Sequence, residues 1–147
     1  MKPPESHKDH DEVRPTEPEE RKPKRAFIGG FDHAWSGIRL VVSSQRNMRF
    51  HVLAAFAVVV LGLLLGLPAL ELALLALTIS AVFAAEMVNT AVEAVVDLAS
   101  PERHPLAKTA KDCAAGAVLV LSVGAVVVGV LVFHDEISRL LDRLFDS

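Results

Sequence analysis

Apolar residues fall into three long blocks separated by short polar stretches. The blocks occupy residues 50–70, 72–96 and 113–133. Each contains about twenty residues or slightly more, the length that a helix rising about 1.5 Å per residue needs to cross about 30 Å of hydrocarbon. Three buried helices of a soluble bundle would need polar faces elsewhere in the chain to cover them, and the sequence supplies none. The pattern therefore predicts an all-α integral membrane protein with three transmembrane helices.

Amphipathic segments flank the three blocks. In residues 27–45, apolar side chains recur at helical spacing: Ile28, Phe31, Trp35, Ile38 and Val42. This pattern predicts a surface helix in the membrane interface, with Trp35 suited to the headgroup layer, although packing against another protein surface remains an alternative. Residues 135–147 predict a C-terminal amphipathic helix on the outer surface. Residues 27–134 are then the membrane domain.

The first 26 residues carry seven basic and seven acidic side chains and five prolines, with almost no apolar residues. Such a segment cannot bury enough surface to offset its ordering entropy, so it is predicted to be a disordered tail. Basic residues precede the first block and also occur in the loop after the second block, whereas the turn between the first two blocks has none. The positive-inside rule predicts a cytoplasmic N-terminus and second loop, and an external C-terminus.

Composition also limits the possible chemistry. The chain has one cysteine, Cys113, so an internal disulfide is excluded, and no glycine-rich nucleotide loop is present. No basic surface is large enough to predict nucleic acid as a partner.

A row of polar residues interrupts the second block. Glu86, Asn89, Glu93 and Asp97 are spaced i, i+3, i+7 and i+11, which places them on one narrow stripe of a helix. Buried carboxylates in a span are costly, so a functional role is the first hypothesis. Carboxylate oxygens can hold Mg²⁺, and a carboxylate can act as a general base. A polar network that joins helices would need matching cations, which the spans lack.

The second loop supplies cations next to this stripe. Lys108, Lys111 and Asp112 are three and four residues apart and share a helix face. Lysine at a membrane boundary is often a topology anchor, an interpretation that suits Lys108 better than Lys111. We expect Lys111 to lie at the depth of Glu93 and Asp97, where Mg²⁺ and a phosphate would balance the charges.

These residues resemble a known family. Residues 86–97, EMVNTAVEAVVD, are similar to the signature helix of the prokaryotic diacylglycerol kinases, and residues 104–108, HPLAK, with 110–119, AKDCAAGAVL, are similar to the loop and third span that follow it. The loop is most similar to that of the undecaprenol kinases of the Gram-positive type. The resemblance extends from about Trp35 to Phe133.

The resemblance implies a lipid kinase of the bacterial inner membrane, a homotrimer with active sites shared between neighbouring subunits. It implies transfer of the ATP γ-phosphate, with Mg²⁺, to the hydroxyl of a membrane lipid alcohol, undecaprenol preferred and diacylglycerol next. At matching positions it assigns Glu86 as catalytic base, Glu93 as ligand of Mg²⁺ and the nucleotide, and Asn89 and Asp97 as site-organising residues. It further assigns Lys111, Asp112, Glu102 and His104 to ATP binding, and Trp35 and Ala115 to the lipid acceptor.

One position departs from the family pattern. Gln45 stands where a glutamate usually shares the metal with the residue matching Glu93. Its amide offers an oxygen without charge, so metal ligation is not assigned to it. Two alternatives therefore stay open: a homologue that has lost activity, and a non-enzymatic membrane oligomer in which the stripe lines a pore or a packing seam.

Overall fold

The computed structural model describes the chain from Ala26 to Phe145, and this part of the chain forms four helices. They are α1 (Ala26–Ser44), α2 (Arg46–Leu65), α3 (Ala69–Ala99) and α4 (Pro105–Phe145). All but one residue of the predicted tail, 1–26, lies outside the described residues. The all-α architecture with one preceding helix and three candidate membrane spans is confirmed.

Gln45 separates α1 from α2. Its backbone is extended, with φ −94° and ψ 120°, whereas its neighbours on both sides are helical. The backbone amide of Gln45 donates to the carbonyl of Val41, and its backbone carbonyl accepts from the amide of Arg49. Both helix ends therefore stay hydrogen-bonded through the bend. One non-helical residue is therefore enough to turn the chain from α1 into the first span.

The turn between α2 and α3 is set by Gly66. Its φ of 72° is left-handed, a conformation that glycine adopts without the strain of a Cβ. The amides of Gly66 and Leu67 donate back to carbonyls of the last turn of α2. The first span therefore ends at Leu65. It begins at Arg46, so both bounds are earlier than the predicted 50–70.

The second and third spans extend beyond their predicted bounds. At about 1.5 Å per residue, the 31 residues of α3 are about 46 Å long, so the helix projects past the hydrocarbon. Helix α4 runs unbroken for 41 residues. The structure differs from the prediction at this end, because residues 135–145 continue α4 instead of forming a separate helix.

Packing is closest between α3 and α4. A small apolar cluster of Leu67, Leu75, Val132 and Phe133 joins the α2–α3 turn to both helices. Many other large apolar side chains are exposed, for example Leu64, Leu70 and Leu98. Such a surface is typical of helices that face lipid tails or neighbouring helices within a membrane.

Candidate active site

The acidic stripe of α3 runs from a buried end to an exposed end. Glu86 has only 2% of its surface exposed and is the buried charged residue of the described part of the chain. Asn89 and Glu93, one and two turns along, are half-buried, and the Asp97 side chain is 67% exposed. The predicted stripe is thus present, and it connects the interior of the helical bundle to its polar end.

The carboxylate of Glu86 lies opposite His51 on α2. His51 Nε2 is 3.4 Å from Glu86 Oε1. The contact does not have the geometry of a hydrogen bond, so Glu86 Oε1 is a buried oxygen without a hydrogen-bond partner. An ionisable group held this deep is costly to bury, which favours a functional role, and its polar neighbour among the described residues is His51.

Asn89 and Glu93 are joined along the helix. The Asn89 amide donates from Nδ2 to Glu93 Oε1 over 3.2 Å. This bond fixes the Asn89 carbonyl oxygen, Oδ1, which is buried and has no partner of its own. The pair therefore presents oxygen atoms with unused acceptor capacity, the ligand type that Mg²⁺ prefers.

The exposed end of the stripe is tied to α4. Lys111 Nζ lies 2.5 Å from Asp97 Oδ1, so these two side chains meet at the same level of the hairpin. Asp112 pairs instead with Lys108, one turn earlier on the same helix. Both ion pairs are largely exposed.

The loop between α3 and α4 is shaped by its own hydrogen bonds. Ser100 donates its hydroxyl to the Glu102 carbonyl, and the Leu106 amide donates to His104 Nδ1 over 3.2 Å. His104 thereby caps the first turn of α4, where Pro105 at the first helical position has no amide hydrogen to satisfy. The positive end of the helix dipole faces this loop, an arrangement that favours anions.

A polar cavity of about 580 Å³ opens at this end of the hairpin. Its wall brings together five residues predicted from the sequence: Asp97, Glu102, His104, Lys111 and Asp112. Arg103 and Lys108 add two further cations. Glu86, Asn89 and Glu93 do not line this cavity, since they lie deeper on α3.

Two predicted site residues lie elsewhere. Trp35 on α1 and Ala115 on α4 are both exposed and line neither this cavity nor the second one, an apolar groove of about 440 Å³ between α2, α3 and α4. The groove has His51 at one end and reaches Phe133 and Ile137 at the other. Sequence reasoning did not select His51; the signal for it was a lone histidine in the first turns of an apolar span.

The sequence of these spans and this loop matches that of known proteins. The family model described as prokaryotic diacylglycerol kinase matches residues 32–133, which include every candidate site residue. The chain belongs to this family. Membership confirms the expectation of a lipid kinase and sets aside the non-enzymatic oligomer.

Individual members of the family are similar over most of the chain. Undecaprenol kinase of Bacillus subtilis (strain 168) is 44% identical over 107 residues, covering 73% of this chain and 87% of the relative. Diacylglycerol kinase of Synechocystis sp. is 46% identical over 104 residues, covering 70% of this chain but 59%, less than two thirds, of the relative. Diacylglycerol kinase of Escherichia coli (strain K12) is 33% identical over 101 residues, or 69% of this chain and 83% of the relative. The spans and these bacterial relatives together indicate a bacterial membrane protein.

Proposed function

We propose that the protein transfers the γ-phosphoryl group of ATP, with Mg²⁺, to the hydroxyl of a membrane lipid alcohol, with undecaprenol preferred and diacylglycerol next. The observation that carries this proposal is that the acidic stripe on α3 runs from a buried end to an exposed end. The buried carboxylate of Glu86 lies on the same helix face as Asp97, eleven residues or about 16 Å away, and Asp97 is paired with Lys111. One face therefore connects membrane depth, where a lipid resides, to a polar cavity, where a nucleotide can enter.

The cavity supports the nucleotide-binding role of its residues. Lys111, Lys108 and Arg103 supply positive charge, and the positive end of the α4 dipole adds to it. Its volume lies within the roughly 300–1,000 Å³ usual for small-molecule sites. In this proposal Lys111 and Asp112 contact ATP, while Glu102 and His104 lie beside the nucleotide.

The oxygen atoms of Glu93 and Asn89 suit Mg²⁺. The described residues contain no group of three or more His, Cys, Asp or Glu side chains that could hold a metal ion by themselves. Mg²⁺ at kinase sites is commonly bound by one or two carboxylates together with substrate phosphates, which matches a site built on Glu93. When bound, the ion neutralises charge on the β- and γ-phosphates.

Glu86 is proposed as the general base. Its carboxylate accepts the proton of the lipid hydroxyl while the hydroxyl oxygen forms a bond to the γ-phosphorus. The bond between that phosphorus and the β–γ bridging oxygen breaks, and ADP leaves. Lys111 stabilises the charge on the transferred group, and Asn89 and Asp97 hold Glu93 and Lys111 in place. No phosphoenzyme is required.

The homotrimer with shared sites is part of the proposal. Within one chain Glu86 and Glu93 do not line the cavity, and many large apolar side chains on α2, α3 and α4 are exposed. Neighbouring subunits would cover part of that surface and would bring Trp35 and Ala115 to a lipid beside Glu86. The positive-inside rule supports a cytoplasmic N-terminus and active site in the bacterial inner membrane, with the C-terminus outside.

The preference for undecaprenol rests on the resemblance of the loop at residues 104–108. The relatives named above include an undecaprenol kinase at 44% identity and a diacylglycerol kinase at 46% identity. One assay tests both kinase activity and acceptor preference. Purified protein in lipid receives labelled ATP, Mg²⁺ and either undecaprenol or diacylglycerol. We expect a phosphorylated product, more from undecaprenol, and a loss of about 10²- to 10⁴-fold in Glu86→Gln. Absence of product from both acceptors, or full activity in Glu86→Gln, would refute the proposal.

A further inference from the structure

His51 is the side chain on α2 that contacts the buried carboxylate of Glu86. Its side chain is 25% exposed, whereas that of Glu86 is 3% exposed. The apolar groove is lined by His51, Val82 and Phe83 but not by Glu86. A hydroxyl group that approaches Glu86 along this groove therefore comes into contact with the imidazole of His51.

The groove offers few other polar contacts. Besides His51, the polar side chain that lines the groove is that of Thr78. Its hydroxyl already donates to the carbonyl of Leu74 over 2.7 Å. His51 is thus the side chain of the groove with an unused hydrogen-bond donor, since the Thr78 hydroxyl can now only accept. Its Nε2 is 3.4 Å from Glu86 Oε1, and that oxygen has no partner. A hydrogen bond between the imidazole and the carboxylate would therefore satisfy both groups.

We propose that His51 is a positioning residue for phosphoryl transfer. In this inference, which rests on the proposed function, Nε2–H donates to Glu86 Oε1 and fixes the carboxylate so that Oε2 faces the lipid hydroxyl. The 3.4 Å separation shortens as the lipid binds, as is common for hydrogen bonds at active sites. The bond then orients the base without His51 itself taking part in the bond changes.

Substitutions of His51 separate this role from simple packing. His51→Leu keeps apolar volume but removes the donor, while His51→Gln places an amide donor near the position of Nε2. We expect kcat to fall about 10- to 100-fold in His51→Leu, the range for losing a hydrogen bond to a charged group, with the KM for Mg-ATP within about twofold of wild type. His51→Gln should recover most of the lost kcat. His134→Leu, an exposed histidine on α4, is the matched control.

A spectroscopic measurement tests the contact without activity. The ring ¹⁵N shifts of His51 are compared between the wild-type protein and Glu86→Gln at one pH in the same lipid. A change in those shifts supports the pair, whereas unchanged shifts overturn it, as does a folded His51→Leu variant whose kcat stays within twofold of wild type. If the wild-type protein phosphorylates no lipid, the proposed function fails, and the ¹⁵N comparison still decides whether His51 holds Glu86.

Discussion

Lys111 on α4 reaches back across the hairpin to Asp97 on α3, with Nζ 2.5 Å from Oδ1. Fourteen residues separate the two along the chain, so the contact exists only because the loop folds α4 onto α3. It places a cation at the junction between the acidic stripe and the polar cavity. The Asp97 side chain is mostly exposed, so the pair contributes little to folding stability, roughly 0–1 kcal/mol. Its effect should therefore appear in nucleotide binding.

Lys111→Met should weaken nucleotide binding while leaving the free energy of unfolding nearly unchanged. We expect the KM for Mg-ATP to rise about tenfold or more, because a charge-assisted contact with phosphate is lost. Lys108→Met is the comparison, since the Lys108 side chain is 78% exposed whereas that of Lys111 is 36% exposed. Its effect should be clearly smaller. Equal KM values for both variants in steady-state assays would contradict the assignment of Lys111.

Glu93→Ala should lower the affinity for Mg-nucleotide, because it removes the carboxylate proposed to hold the metal ion and releases the Asn89 amide from its partner. We expect at least a tenfold loss in a titration with Mg²⁺ and a non-hydrolysable ATP analogue, about 1.4 kcal/mol. Glu71→Ala is a matched control on the same helix, 22 residues or about 33 Å away. Unchanged binding by Glu93→Ala would remove the proposed metal site.

Gln45→Glu should reduce the Mg²⁺ concentration that the enzyme needs. Gln45 makes no side-chain hydrogen bond to the first turn of α2, so the exchange removes no cap, and an added negative charge near a helix N-terminus is favourable. We expect the half-saturating Mg²⁺ concentration to fall several-fold relative to wild type, with Gln45→Met as the variant that keeps the length but loses the oxygen. If the wild-type protein is inactive, Gln45→Glu should switch activity on. No change in either property would show that residue 45 lies outside the metal site.

Gly66→Ala should destabilise the protein. A Cβ in the left-handed conformation costs about 1–2 kcal/mol, even though no neighbouring atom lies within 4 Å of the new Cβ. Gly37→Ala, within α1, also meets nothing within 4 Å but gains helix propensity, so it should be neutral or slightly stabilising. Unfolding with increasing concentrations of a denaturing detergent measures the stability of both variants. Equal stability of the two variants would show that the turn adopts another conformation.

Much of the architecture follows from local properties of the sequence. Runs of about twenty apolar residues predict spans because a backbone in hydrocarbon must satisfy its hydrogen bonds within a helix. The stripe from Glu86 to Asp97 follows from the helical repeat alone, and Lys111 follows from its place at the start of the third span. The bounds were less accurate, since the early end of the first span depends on the backbone conformation of Gly66.

The sequence by itself determined the three membrane-spanning helices and the row of acidic side chains, because both depend on periodicity within one helix. Only the tertiary structure decided which residues meet across helices: His51 with Glu86, and Lys111 with Asp97. Both pairs are far apart in the chain, and their distances depend on how α2 and α4 pack against α3. The continuation of α4 to Phe145 was likewise visible only in the fold, where a single unbroken helix replaces two predicted segments.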